Sequence, residues 1–494
     1  MRAVSSLRIV AANDATVATR GRYVLYWMIA ARRTRYSFAL DHALALSRQL
    51  DRPLLVLEAV RAGYRWASDR HHAFILQGMA DNAKAFAKAK ITYRAYVEPE
   101  HGAGKGLVEA LAAHACCVVT DEQPGFFLPH MVKAVAPRIG VRVETVDGNG
   151  LLPLRAVDRA YPTAASFRRQ LQKTLAPHLV AFPSATPLAR VHASAKDADL
   201  PRGIAKWPAA TAAQLAASPA ALAALSIDHT VPPVSYRGGS TAAAEVLDEF
   251  IDHRLARYTE RSHPDAEAAS GLSPWLHFGH ISAHEIAARV WDDAGWDPSR
   301  VAGAKVTGSR EGWWGLPPSH EAFLDELVTW RELGYGFCHH RAHYDTYSAL
   351  PDWARATLDK HATDPRPERY TRAELERADT GDPLWNAAQR ELLVDGRIQN
   401  YLRMLWGKKV VEWSPSPRAA LATLIELNNK YAVDGRDPNS YSGILWTFGL
   451  FDRPWGPERE IYGTVRYMSS ASTARKLNLR RYLDRWTPPL DAAH

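Results

Sequence analysis

YVLYWM, Tyr23–Met28, is six apolar or aromatic residues in a row with no alternation. A strand with one wet face alternates. A run this short and unbroken reads as a strand buried on both faces, as in a parallel sheet covered by helices. Outward from it, a helical stretch runs from Phe38 to Leu50, and PLLVLEAV (Pro53–Val60) repeats the strand pattern. A helix fits Asp69 to Lys88. ITYRAYVE from Ile91, ACCVVTDE (Ala115–Glu122) and VRVETVD (Val141–Asp147) complete five strands separated by helical segments. That order predicts an α/β domain with a parallel five-stranded, Rossmann-like sheet over residues 1–185. Ligands of such sheets sit at the carboxyl ends of the strands. Neither G-x-G-x-x-G nor a Walker A loop occurs, so no dinucleotide or ATP loop is assigned there.

Residues 186–240 change character. AATAAQLAASPAALAAL and VPPVSYRGGS are rich in Ala, Pro and Gly and read as an interdomain linker, partly helical. From 241 to 494 the pattern is helical almost throughout, as in HEAFLDELVTWRELGYGF and PRAALATLIELNNKYA, which predicts an all-α domain. AGAKVTGSREGWWGLPP, Ala302 to Pro318, reads as an exposed loop.

The chain has 494 residues, more than one core holds, and 47% hydrophobic with 23% charged residues is ordinary for a soluble globular protein. A formal charge of +8 leans toward a polyanionic partner without requiring one. Three cysteines, two of them adjacent (Cys116 and Cys117) and none in CxxC, argue for a reducing compartment and against zinc. No apolar run is long enough for a membrane helix and no signal peptide is apparent, so the expected location is cytoplasmic, nucleoid-associated in a bacterium.

Five of the sixteen tryptophans fall between Asp382 and Trp455. Trp406 and Trp413, seven apart on one predicted helix, share a face roughly 10.5 Å apart along the axis. That spacing serves a row of core aromatics as well as electron hopping between indoles. Ser270 and Ser273 before an apolar run suit a helix cap or a phosphate. Glu326 and Trp330, one helical turn apart, could line one pocket or be an exposed Glu beside a core Trp. DGRDPN, Asp434–Asn439, could make a turn or bind sugar hydroxyls. DRPWGPER from Asp452 could be a solvated turn or a wedge into a duplex.

Taken in order, LSPWLHFG, AFLDELVTWRE, DPLWNAAQ, RMLWGKKVVEW, LNNKYAVDGRDPNSY and REIYGTVRYM make the run from Thr241 to Tyr482 resemble the flavin domain of class II cyclobutane pyrimidine dimer photolyases. YWM and VVTDE resemble the N-terminal domain of that family more loosely. The resemblance implies FAD bound in the helical domain. Ser270, Leu272 and Ser273 match its phosphate-binding positions. Asp434 and Asp437 match acidic positions near ring and ribose, Arg403 the partner of the first aspartate, and Asn428 the asparagine facing flavin N5. Arg261 and Asp452 match a pair closing over the cofactor. Trp406, Trp385 and Trp413 match the proximal, middle and distal members of an electron-transfer chain. Trp330 and Trp446 match the indoles gripping a flipped dimer, and Glu326 the acid hydrogen-bonded to it. Arg453 and Trp455 match the loop filling the hole left in the duplex.

The implied activity is light-driven repair of pyrimidine dimers in double-stranded DNA, by a monomer with no obligate protein partner. A second, antenna chromophore of the deazaflavin type is implied for the first domain. YWMIAARRTRYSFAL departs from the amide-rich, acidic stretch usual there. RSHP replaces RNDP at Arg261, Ser440 stands where Gly is usual, and TFGLFD is one residue short, with Phe451 where His is common. The rival readings are a cryptochrome-like photoreceptor that keeps the flavin but repairs nothing, and a helical nucleic-acid-binding protein without a cofactor.

Overall fold

The computed structural model describes residues 3–301 and 303–487. Two compact units emerge, and the chain passes between them more than once. The first takes residues 3–158, 174–248 and 272–301, and the second takes 159–173, 249–271 and 303–487. The units therefore interleave along the chain, whereas the sequence reading drew one linker at 186–240. Local bonding explains the 159–173 segment. Arg168 makes a two-pronged pair with Asp325 (2.7 and 2.8 Å), and Gln172 accepts from the backbone of Thr307 and Gly308, all within the second unit.

The first unit is built on a six-stranded sheet: β1 (Ile9–Ala11), β2 (Tyr23–Met28), β3 (Leu54–Val60), β4 (Thr92–Val97), β5 (Ala115–Glu122) and β6 (Arg142–Asp147), in the order β1-β6-β5-β2-β3-β4. β2 to β6 pair in parallel. β1, a sixth strand not expected from sequence, pairs antiparallel with β6 at the edge. It is three residues long and only partly buried, too short to give a periodic signal. β2 is buried at every position, as an unbroken apolar run in a covered sheet requires. α1 (Phe38–Leu50), capped by Ser37, and α2 (Asp69–Ala89) pack on the sheet. The YWMIAARR stretch is tied down by Asp121 at the end of β5. Its Oδ2 accepts the N–H groups of Ile29, Ala30 and Ala31 at 2.8, 2.8 and 2.9 Å. The Ala/Pro-rich segment packs in this unit too, with Ile204, Trp207, Leu222, Leu225 and Val231 buried.

The second unit is helical. Its core elements are α3 (Pro318–Leu324), α4 (Arg331–His340), α5 (Asp352–Lys360), α6 (Pro383–Asp395), α7 (Asn400–Trp413), α8 (Pro417–Tyr431) and α9 (Pro438–Trp446). The loop expected from Ala302, itself outside the described residues, is largely exposed. Trp313 and Trp314 are the exception: both are buried, edge to face at 4.8 Å, and they anchor it. The three cysteines are free and buried, and among the described residues no helix is long and apolar enough to cross a membrane.

Candidate active site

The run from Ala387 to Trp413 reads as one helical pattern, but Gly396 adopts a left-handed φ of 64° and divides it into α6 and α7. The break lets the two helices pack side by side, and this brings the tryptophans together. Asp382 caps α6 by accepting the N–H of Trp385 (3.0 Å). Trp385, Trp406 and Trp413 are all fully buried. Trp385 stacks on Trp406 with centroids 6.4 Å apart, and meets Trp413 edge to face at 5.4 Å. The order of contact is therefore Trp406, Trp385, Trp413. Two indole N–H groups are pinned: Trp385 Nε1 donates to the Trp406 carbonyl (3.0 Å) and Trp406 Nε1 to Gln389 Oε1 (2.9 Å). Lys409 Nζ lies 4.7 Å from the Trp413 ring.

DGRDPN is a turn, but a buried one, with Asp434, Arg436 and Asp437 all shielded from solvent. It lies against the end of α8: Arg436 N donates to Asn429 Oδ1 (2.9 Å), and a Cβ on Gly435 would come within 2.7 Å of the Asn428 carbonyl. Asp434 pairs with Arg403 at 3.1 Å, and the Nε of Arg403 is buried with no protein partner. Asn428 donates through Nδ2 to Asn429 Oδ1 (3.1 Å) and Ser440 Oγ (2.8 Å). Both amide hydrogens are thus committed, which turns Oδ1 into the atom offered to a ligand. Ser440, the departure from the family pattern, is one of the two groups that set this orientation. Asp437 caps α9 by accepting Asn439 N (2.8 Å) and takes the hydroxyl of Tyr335 (2.7 Å).

Glu326 and Trp330 lie on a π-helical turn, Asp325–Trp330, between α3 and α4, rather than on regular α-helix. Such turns widen the helix and re-aim side chains, and they recur at functional sites. Glu326 keeps 31% of its side-chain surface open while being densely surrounded, as a group lining a recess does. Burial pushes its carboxyl above the ordinary range, and Arg261, 2.9 Å away, pulls the other way. α4 and α9 run antiparallel. Cys338 Sγ approaches the Pro438 carbonyl (3.9 Å), and a Cβ on Gly334 would meet Ser442 Oγ at 2.8 Å. Carried one turn further, that register brings Trp330 and Trp446 to the same end of the helix pair, both only partly buried.

Past α9, cations and indoles alternate. Lys408 Nζ lies 5.2 Å from the Trp446 ring, and Arg466 lies 5.7 Å from Trp446 and 4.1 Å from Trp455. Arg453 lies 4.6 Å from the other indole, Trp455. Asp452 ties the group together. Its carboxylate pairs with Arg466 (3.3 Å) and accepts Trp455 Nε1 (3.1 Å). Arg261 makes its ion pair with Glu326, and Asp452 with Arg466. Of the expected phosphate positions, Ser270 falls in the second unit, and Leu272 and Ser273 in the first, where Ser273 opens a five-residue helix.

Gln389, Arg466, Lys408 and Arg168 carry no signal of their own in the sequence. Each acts by holding another residue, a role that the surrounding motif does not announce. Only the clustering of charge beside Trp, as in Trp406–Lys408–Lys409, was there to be noticed.

The first unit's sheet with the second unit's helical core defines the photolyase and cryptochrome class of fold. A class III photolyase from Agrobacterium tumefaciens matches 97% of this chain and 88% of its own at a TM-score of 0.67 and 18% identity. A Synechocystis cryptochrome matches 95% and 89% at 0.64 and 16%. A curated deoxyribodipyrimidine photo-lyase from Methanothermobacter thermautotrophicus is 31% identical over 468 residues, 94% of this chain and 95% of its own. No family model matches the chain. At that identity and coverage the chain belongs to the deoxyribodipyrimidine photo-lyase family, enzymes of DNA photorepair for which FAD is the implied cofactor. The second unit fits that group. A buried arginine Nε without a protein partner and an asparagine whose amide hydrogens are both taken offer a donor and an acceptor suited to such a group.

Proposed function

We propose that the chain is a class II enzyme that repairs cyclobutane pyrimidine dimers in double-stranded DNA, and that Trp330 and Trp446 receive the extruded dimer. The observation that carries this is the shared end of α4 and α9, where two half-open indoles stand with a recessed carboxyl group, Glu326, one turn from Trp330. A dimer stacks badly on its neighbours, so extruding it costs only a few kcal/mol; photolyases are themselves among the enzymes that this generalisation describes. Stacking on indole recovers ~1–3 kcal/mol per base. A Glu326 carboxyl with a raised pKa can donate a hydrogen bond to a base edge, and Arg261 fixes its orientation. Arg453 and Trp455 support the emptied duplex.

Arg403, Asn428, Asp434 and Asp437 would hold FAD, with Ser270 of the same unit at its phosphates. Bound, reduced and excited by light, FAD supplies the electron that opens the cyclobutane ring and takes it back afterwards. Asn428 would offer Oδ1 to the flavin ring, and the buried Trp406–Trp385–Trp413 row would supply electrons from the protein. An antenna of deazaflavin type is assigned to the first unit, at the carboxyl ends of β3 and β5. Its support is the cluster of Tyr64, Trp66, Phe126 and Phe127, in which Trp66 Nε1 is buried without a partner. The enzyme acts as a cytoplasmic monomer.

UV-irradiated DNA incubated with the purified protein in blue light and in the dark tests this. Dimer loss in light alone is expected. Flavin absorbance without dimer loss would favour the photoreceptor reading, and no flavin absorbance would remove both.

A further inference from the structure

His361 stands one residue beyond α5, with a carboxylate at each ring nitrogen. Nδ1 lies 2.6 Å from Asp364 Oδ2 and Nε2 lies 2.8 Å from Glu458 Oε1. Both partners only accept. A neutral imidazole has one N–H and serves one of them, turning a lone pair on the other; only imidazolium donates to both. The remaining charged groups at the cluster are Lys360, whose Nζ reaches Glu458 at 2.9 and 3.0 Å, and Arg366, which donates to the carbonyls of Ala362 and Asp364.

The bonds of Lys360 and His361 to Glu458 join the end of α5 to residues 458–464. Asp364 Oδ2 also takes the N–H of Ile461 (2.8 Å), and Thr357 Oγ1 takes that of Thr464 (3.0 Å). The Thr464 carbonyl accepts Trp455 N at 2.8 Å. A Cβ at Gly463 would fall 2.9 Å from His361 Cδ2, so the returning backbone sits directly on the ring. The attachment is therefore the base of the loop that displays Arg453 and Trp455.

We infer that His361, as imidazolium, is a positioning residue that fastens the 452–464 loop to α5 and so holds Arg453 and Trp455 in place for damaged DNA. The inference rests on the reading of that loop as a DNA contact. The Glu458 hydrogen bond first, and Asp364 after it, raise the His361 pKa above its usual 6.5. A group with a raised folded pKa gives its full contribution at low pH and loses it as pH climbs through that pKa. Loop attachment, and with it affinity for damaged DNA, should fall with rising pH on the alkaline side of 6.5.

The test is the dissociation constant for a dimer-containing duplex, in the dark at fixed ionic strength, from pH 6 to 9. The FAD-loaded wild type should weaken in one step of about 3–10-fold, the size of one partly exposed charge-assisted contact. His361→Gln should bind weakly and without that step. Glu458→Gln, which keeps the ring but removes one carboxylate, should move the step to lower pH. A wild-type profile with no step, a step that survives in His361→Gln, or an unmoved step in Glu458→Gln would each overturn the inference. Arg453→Ala and Trp455→Ala separate the two layers. If neither weakens binding, the loop reading itself fails. If both do while His361→Gln behaves as wild type, only the role of His361 is lost.

Discussion

The indoles of Trp385 and Trp406 lie parallel, within 6° and 6.4 Å between centroids, and Trp385 Nε1 donates to the backbone carbonyl of Trp406. Two rings fixed this way change their separation little when charge passes, which suits electron transfer. Trp406→Phe should abolish or sharply slow light-driven reduction of oxidised FAD while sparing repair by chemically reduced enzyme. Transient absorption and a repair assay on the same sample check this. Photoreduction at the original rate would make the row simple packing.

Gln389 is fully buried and accepts the Trp406 indole N–H. Gln389→Leu leaves that donor unpaired in a dry core, at a cost of about 1–3 kcal/mol. Thermal or urea unfolding should show the loss, together with slower photoreduction.

On the proposed reading Glu326 meets the lesion edge, so Glu326→Ala should cut the yield of repair per absorbed photon by about an order of magnitude and leave FAD bound. Its raised pKa means that the donating, protonated form persists to higher pH than in an ordinary glutamate. The wild-type yield should decline as pH rises through that pKa, and Glu326→Gln, always a donor, should lack this limb. A yield unchanged in Glu326→Ala would remove the assigned role.

Lys408 is wholly buried, bonded to the Thr447 carbonyl at 2.7 Å, and burial lowers its pKa to about 7. Unfolded, the same lysine titrates near 10.4. Between those values the unfolded chain holds the extra proton, so stability rises with pH from about 7 to about 10 and is flat for this group below. Lys408→Met should show a shallower rise in melting temperature over that range. Equal slopes would place the charge in better-solvated surroundings.

Strands β2, β3 and β5 were legible because a covered parallel sheet demands apolar runs, as in Tyr23–Met28, and β4 and β6 because their residues alternate. β1 was not, since three half-exposed residues at an edge carry no periodicity. The tryptophan row was half legible. Trp406 and Trp413 share a helix face, but only the break at Gly396 lets Trp385 fold between them. The partners of Arg261 and Asp452 were out of reach, because ion pairs between distant segments follow from packing and not from local pattern. The π-turn under Glu326 was hidden for a related reason: its apolar spacing differs from an α-helix by less than one residue.

The central claim is that Trp330 and Trp446 receive an extruded dimer. It is tested most directly by 2-aminopurine placed opposite the lesion in a duplex, read by fluorescence in the dark. The account predicts a saturable rise with dimer-containing DNA and little with intact DNA, and a loss of that difference when Trp330 and Trp446 are both replaced by alanine. An equal rise with intact DNA, or an undiminished response without the two indoles, would contradict it.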